Sequence, residues 1–140
     1  MATRCNIPGS SPYEPVIGFS RAVRVGSYIS VSGTGPVGAD DADPATQTEQ
    51  ILTIIAGVLK EAGSSFEHII RTRIYLTDRG AWEEVGRIHG KFFSIVRPAS
   101  TMVVVAGLLN PTWHVEIEAD ALVPEAVNIV LGRGDVNASE

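Results

Sequence analysis

The chain has 140 residues, 44% of them hydrophobic and 19% charged, the make-up of an ordinary globular protein with one core. A net charge of −5, from 11 Lys and Arg against 16 Asp and Glu, lacks the basic footprint that dominates nucleic-acid affinity and counts against such a partner. The apolar runs are too short to cross a bilayer, residues 1–15 have no signal-peptide h-region, and the single Cys5 excludes an internal disulfide, so a cytoplasmic protein without membrane contact is expected.

Residues 1–15, rich in Gly, Ser and Pro, read as an irregular arm. Phe19 to Arg24 alternates weakly, Gly26-Ser27 turns the chain, and Tyr28 to Gly33 returns as a strand. In that strand Ser30 and Ser32 share a face with Tyr28, opposite Ile29 and Val31. Turn-formers and acids fill 34–43. A helix begins at Asp43-Pro44, an acid at the N-cap followed by proline. Ile51, Ile54, Ile55, Val58, Leu59 and Ala62 recur at helical spacing before Gly63 ends the helix.

Ile69 to Thr77 reads as a strand with Ile70, Thr72, Ile74 and Leu76 on one face and Arg71, Arg73 and Tyr75 on the other. A second helix runs from Asp78 to about Ile95, burying Trp82, Val85, Ile88, Phe92 and Phe93. Arg97 to Val123 supplies two more strands around a Gly/Asn/Pro turn. In the second of these, Trp113, Val115, Ile117, Ala119 and Ala121 oppose His114, Glu116, Glu118 and Asp120. The element order predicts an α+β domain in which both helices lie on one face of a mixed sheet. Consecutive carboxylates on the other face repel unless solvated, ion-paired or used in a site. Arg71 or Arg73 opposite Glu116 or Glu118 would relieve that repulsion. Residues 124–140 are expected to form a tail, with an apolar VNIVL patch and eight disordered residues at the end.

The Pro98-Ala99 step, the leucine-and-proline turn and the VEIEADA strand resemble the signature of the Rid/YjgF family, also labelled endoribonuclease L-PSP. The likeness spans roughly residues 13–123 of a single domain covering 1–140. It implies a chorismate-mutase-like fold, a homotrimer with the polar sheet faces buried around its axis, and enamine or imine deaminase activity on a small molecule at a subunit boundary. No cofactor is expected. Glu116 matches the family glutamate that positions or activates water, although an ion pair with Arg71 or Arg73 is an equal reading. Ser32-Gly33 matches the Ser-Gly that lines the cleft, and Phe19 stands where relatives carry a tyrosine. Met102 replaces a frequent cysteine and Gly86 a frequent asparagine.

Ser100 is the main departure, because deaminase members carry an arginine there. An arginine fork holds a carboxylate by two charge-assisted bonds, and its replacement by one hydroxyl costs roughly 1.5–3 kcal/mol. Arg73, projecting from the polar face, is the candidate substitute; Arg97 fits better as a cap of the second helix. The expected substrate-binding set is therefore Ser100, Ser32, Gly33, Phe19, Arg73 and Met102, with Glu116 catalytic. His68, His89 and His114 are too scattered for a metal motif, and His89 reads as helix–sheet packing. No phosphate-cradling glycine loop is present. The alternative is a trimer that binds a small ligand without turning it over; an RNA-cleaving protein is a weaker third reading.

Overall fold

The structure is a computed structural model, and residues 2–124 are described here. Of the expected tail only Pro124 falls among them, and the apolar patch at 127–131 lies outside. Eight main elements occur: β1 (Arg4–Ile7), β2 (Ala22–Val25), β3 (Tyr28–Thr34), α1 (Pro44–Ala62), β4 (Ile69–Leu76), α2 (Trp82–Phe93), β5 (Ala99–Val104) and β6 (Val115–Leu122). The strands make one six-stranded sheet in the order β1-β2-β3-β6-β4-β5. All its pairings are antiparallel except β4 with β5. This is the expected chorismate-mutase-like α+β sheet, with both helices on one face.

The sequence signals for α1 act as expected. The Asp43 carboxylate accepts from the Thr46 N–H at 2.7 Å, and Gly63 ends the helix with φ 92°, where a side chain would be strained. Ile51, Leu52, Ile55 and Leu59 then lie wholly buried against Ile29, Ile74, Ile117 and Ala121 of the sheet. Gln47, also wholly buried, fastens this helix to two loops. Its amide donates to the Ala39 and Thr112 carbonyls, and its oxygen accepts from the His114 N–H at 2.7 Å.

Four expectations need correction. The N-terminal arm contains strand β1, a polar edge in which only Ile7 is buried; pairing with β2, not amphipathic alternation, creates it. The strand expected from Phe19 begins at Ala22, because Glu14–Gly18 forms one π-helical turn closed by the Phe19 N–H on the Glu14 carbonyl. Ile70 does not face the helices. Ile69 pairs with Ala121 and Arg71 with Asp120, so Ile70 is a bulged, unpaired residue, 45% exposed. Trp82 is 56% exposed, because α2 starts there after a 3-10 turn over Arg79–Ala81, and Ala81 takes the buried place instead. Arg97, expected as a cap, closes the end of α2 with its backbone: its N–H reaches the Phe93 carbonyl at 2.8 Å while φ is 55°.

The strands β5 and β6 follow each other in sequence without pairing, and β4 runs between them. That placement decides the geometry of the site. Side-chain parity on β5 is set by its register with β4, Thr72 opposite Ser100, and parity on β6 by Tyr75 opposite Glu116. Thr72 and Tyr75 point to opposite faces.

Candidate functional site

The helix-free face of the sheet carries a connected polar network. Arg73 lies 3.4 Å from both Glu118 and Asp120, and Asp120 accepts from the Ser30 hydroxyl at 3.2 Å. Desolvation first, and the neighbouring carboxylates second (Glu118 for Tyr75, Asp120 for Tyr28), raise both phenols above their usual range. Arg71 donates to Thr101 on the edge strand at 2.8 Å. The carboxylate repulsion inferred from β6 is thus relieved by Arg73, through Glu118 and Asp120. Arg73 is occupied there, and Glu116 lies outside that ion pair.

Glu116 sits instead where β3 bulges. Val31 pairs with Ala119 and Thr34 with Ile117, so Ser32 and Gly33 together span one residue of β6. Glu116 packs on this bulge: a Cβ placed on Gly33 would come within 3.1 Å of its Oε1. The Ser32 hydroxyl donates to the Ser20 carbonyl at 2.7 Å. Arg21, which the sequence reading did not single out, donates from its guanidinium to the Gly33 carbonyl. Its only early signal was a cation two residues beyond Phe19 in a weak strand.

Burial raises the Glu116 carboxyl above the ordinary glutamate range; Arg21 pulls it back down and Glu118 pushes it further up. Burial likewise lowers the proton affinity of Arg21, against opposing pulls from Glu14 and Glu116. The Arg21 Nε is buried and has no hydrogen-bond partner. On its far side Arg21 is close to Glu14, and Glu14, Phe19, Ser20, Ser32, Arg4 and Asn6 line an open cleft of about 370 Å³. Phe19, Ser32, Gly33 and Glu116 are therefore gathered at one end of the sheet. A half-buried carboxyl with raised proton affinity, beside a backbone bulge and an arginine, can both take and return a proton.

Ser100 and Met102 are elsewhere. They pair with Thr72 and Ile74 and so face the helix side, at the free edge of β5. The Thr72 hydroxyl lies 2.8 Å from the Ser100 Oγ, and Met102 approaches Gly86 of α2, where an added Cβ would lie 3.9 Å from its Cε. Within one chain, the Glu116 group and the Ser100 group lie on opposite faces and cannot touch one ligand. Among the described residues no cluster of three or more His, Cys, Asp or Glu is placed to hold a metal, and no helix is long and apolar enough to cross a membrane.

Fold and site together define a class: small one-sheet α+β proteins with a polar network on the helix-free face and a second polar group at the edge strand. The family profile described as Endoribonuclease L-PSP matches residues 10–123, and the chain belongs to that family, also called YjgF. Its sequence is 34% identical over 119 residues to an uncharacterized protein of Streptomyces coelicolor, covering 82% of this chain and 89% of that one. Protein HMF1 of Saccharomyces cerevisiae is 30% identical over 111 residues, covering 76% and 84%. Among solved structures, Rv2704 of Mycobacterium tuberculosis, described as a member of the YjgF/YER057c/UK114 family, superposes with a TM-score of 0.81 at 42% identity. It covers 86% of this chain and 100% of its own.

Proposed function

We propose that three copies join through their polar sheet faces and that each boundary unites the Glu116 end of one copy with the Ser100 edge of the next. The pocket so formed hydrolyses the C=N bond of a small imine, or of an enamine through its imine tautomer. The observation that carries this reading is the Glu116 carboxyl, half-buried on the Ser32-Gly33 bulge and free of the Arg73 ion pair.

In the reaction, water adds to the imine carbon while the Glu116 carboxylate takes one of its protons. The carbinolamine that results carries the new C–O bond. Glu116 returns the proton to nitrogen, then takes the carbinolamine's hydroxyl proton and passes it to the same nitrogen as the C–N bond breaks, so that ammonia leaves with a carbonyl product. The net change is imine plus water to carbonyl plus ammonia. A carboxyl whose proton affinity is raised toward neutrality suits both transfers. Arg21 fixes the bulge through the Gly33 carbonyl and faces Glu116, so it positions this base. Phe19 and Ser32 line the open cleft on the Glu14 side of Arg21.

Ammonia release from 2-iminobutanoate and several other imines generated in situ tests the proposal. Release faster than the protein-free rate, abolished by Glu116→Gln, is expected; no acceleration with any of them rejects it. Ser100 favours one second reading, a trimer that binds a small ligand and leaves it unchanged. Ser100→Arg separates the two. A parent inactive on every imine and a variant that gains activity would identify the parent as the binding form.

A further inference from the structure

Behind Ser100 lies a hydrogen-bonded chain that the Glu116 chemistry does not use. Thr72, wholly buried on β4, places its hydroxyl 2.8 Å from the Ser100 Oγ and 2.9 Å from the His89 Nε2. The His89 ring is fixed by its tilted contact with Phe93, 4.6 Å between centroids. Ser100 itself is exposed. The chain thus runs from a partly buried imidazole, through a fully buried hydroxyl, to a hydroxyl at the surface.

Each hydroxyl has one proton, so the chain runs in one of two directions. With a proton on Nε2, His89 donates to Thr72, Thr72 donates to Ser100, and the Ser100 proton is free for a ligand acceptor. With Nε2 bare, Thr72 donates to it, Ser100 donates to Thr72, and Ser100 offers outward only lone pairs. The side chains the ring meets, Thr72 from β4 and Phe93 from its own helix, are uncharged. Burial alone lowers its affinity for a proton, which keeps it neutral near neutral pH and leaves the choice of direction to the ligand.

None of the hydrogen bonds or ion pairs among the described residues brings an Arg or Lys to this chain. A directed O–H contact fits a neutral carbonyl oxygen but compensates no carboxylate charge. Met102, on the same face two residues along, supplies an apolar wall with room left by Gly86.

We propose that Ser100, oriented through Thr72 by His89, is a recognition point for an uncharged carbonyl, such as an amide, on the ligand that the site takes in place of a carboxylate. The proposal rests on the reading above only in placing Ser100 at the ligand cleft. Binding of 2-oxobutanamide and 2-oxobutanoate to the full chain, labelled with ¹⁵N-histidine, tests it without requiring turnover.

The amide is expected to bind about tenfold more tightly than the carboxylate, the ratio of one well-made neutral contact against an uncompensated charge. Saturation with amide should shift the His89 nitrogens toward the Nε2–H form. Ser100→Ala, at an exposed position, should erase the preference, and Thr72→Val should erase the His89 response while Thr72→Ser retains it. Equal or tighter binding of the carboxylate, no binding of either compound, or amide binding without a His89 response would overturn the proposal. Amide binding by a protein inactive on all imines would leave it standing while removing the hydrolytic reading.

Discussion

At Glu116 the requirements of folding and of the proposed chemistry oppose each other. Burial raises its folded proton affinity above the unfolded value, so its contribution to stability is fully present below the unfolded pKa and lost as pH rises through the raised one. Glu116→Gln removes the buried charge. It should raise the unfolding free energy at neutral pH by less than about 1 kcal/mol after solvent screening, read as a higher melting temperature, with no gain in acid where the wild-type carboxyl is protonated. The same substitution should lower imine hydrolysis by roughly 10²–10⁴-fold, the usual size of a general-base contribution. Loss of activity without this pH-dependent gain would mean that the carboxylate is better solvated than its position on the bulge implies. Gly35 gives a steric test nearby. A Cβ there would enter the ring of Trp113, whose indole N–H is tied to Asp40 at 2.9 Å. Gly35→Ala is expected to cost about 1–3 kcal/mol in chemical denaturation, the range for overpacking; an unchanged midpoint would show that the Trp113 ring gives way freely.

Among the elements, α1 is held by more than its apolar face. Gln47→Leu would leave three backbone groups of the 39 and 112–114 loops without partners, and a loss of roughly 2–4 kcal/mol is expected from the urea midpoint. A near-neutral result would assign those loops other support. This helix and the last strand were legible in the sequence because their signals are local: Asp43-Pro44, Gly63, and strict alternation from Val115 to Leu122. The first strand was hidden because Arg4, Cys5 and Asn6 are all exposed and only a neighbour makes them β. Both bulges were hidden too, since one extra residue leaves composition unchanged and reverses the faces only on one side, as at Ile70. The same limit explains the candidate site. Glu116, Ser32 and Gly33 were named from sequence, but the opposition of Ser100 to Glu116 depends on two registers with β4 that local patterns do not encode. Arg21, Thr72 and His89 gain their interest only from what folds against them.

For the whole molecule, the proposed trimer requires that neither the Glu116 end nor the Ser100 edge suffices alone. The polar sheet face, with Arg73 balancing Glu118 and Asp120, is the surface proposed to meet its copies. Arg73→Glu would set a third carboxylate beside those two and remove the cation ion-paired to them, which opposes both strand pairing and burial of the face. A folded, dissociated, inactive chain is expected in sedimentation velocity and circular dichroism. Retention of the wild-type assembly would place the interface on another surface. The most direct measurement is the mass of the unaltered protein in solution by light scattering coupled to size exclusion, at micromolar concentration. A value of about three times the 14.9 kDa chain is expected; a single-chain mass would contradict the shared cleft, because Glu116 and Ser100 would then remain on opposite sides of one sheet.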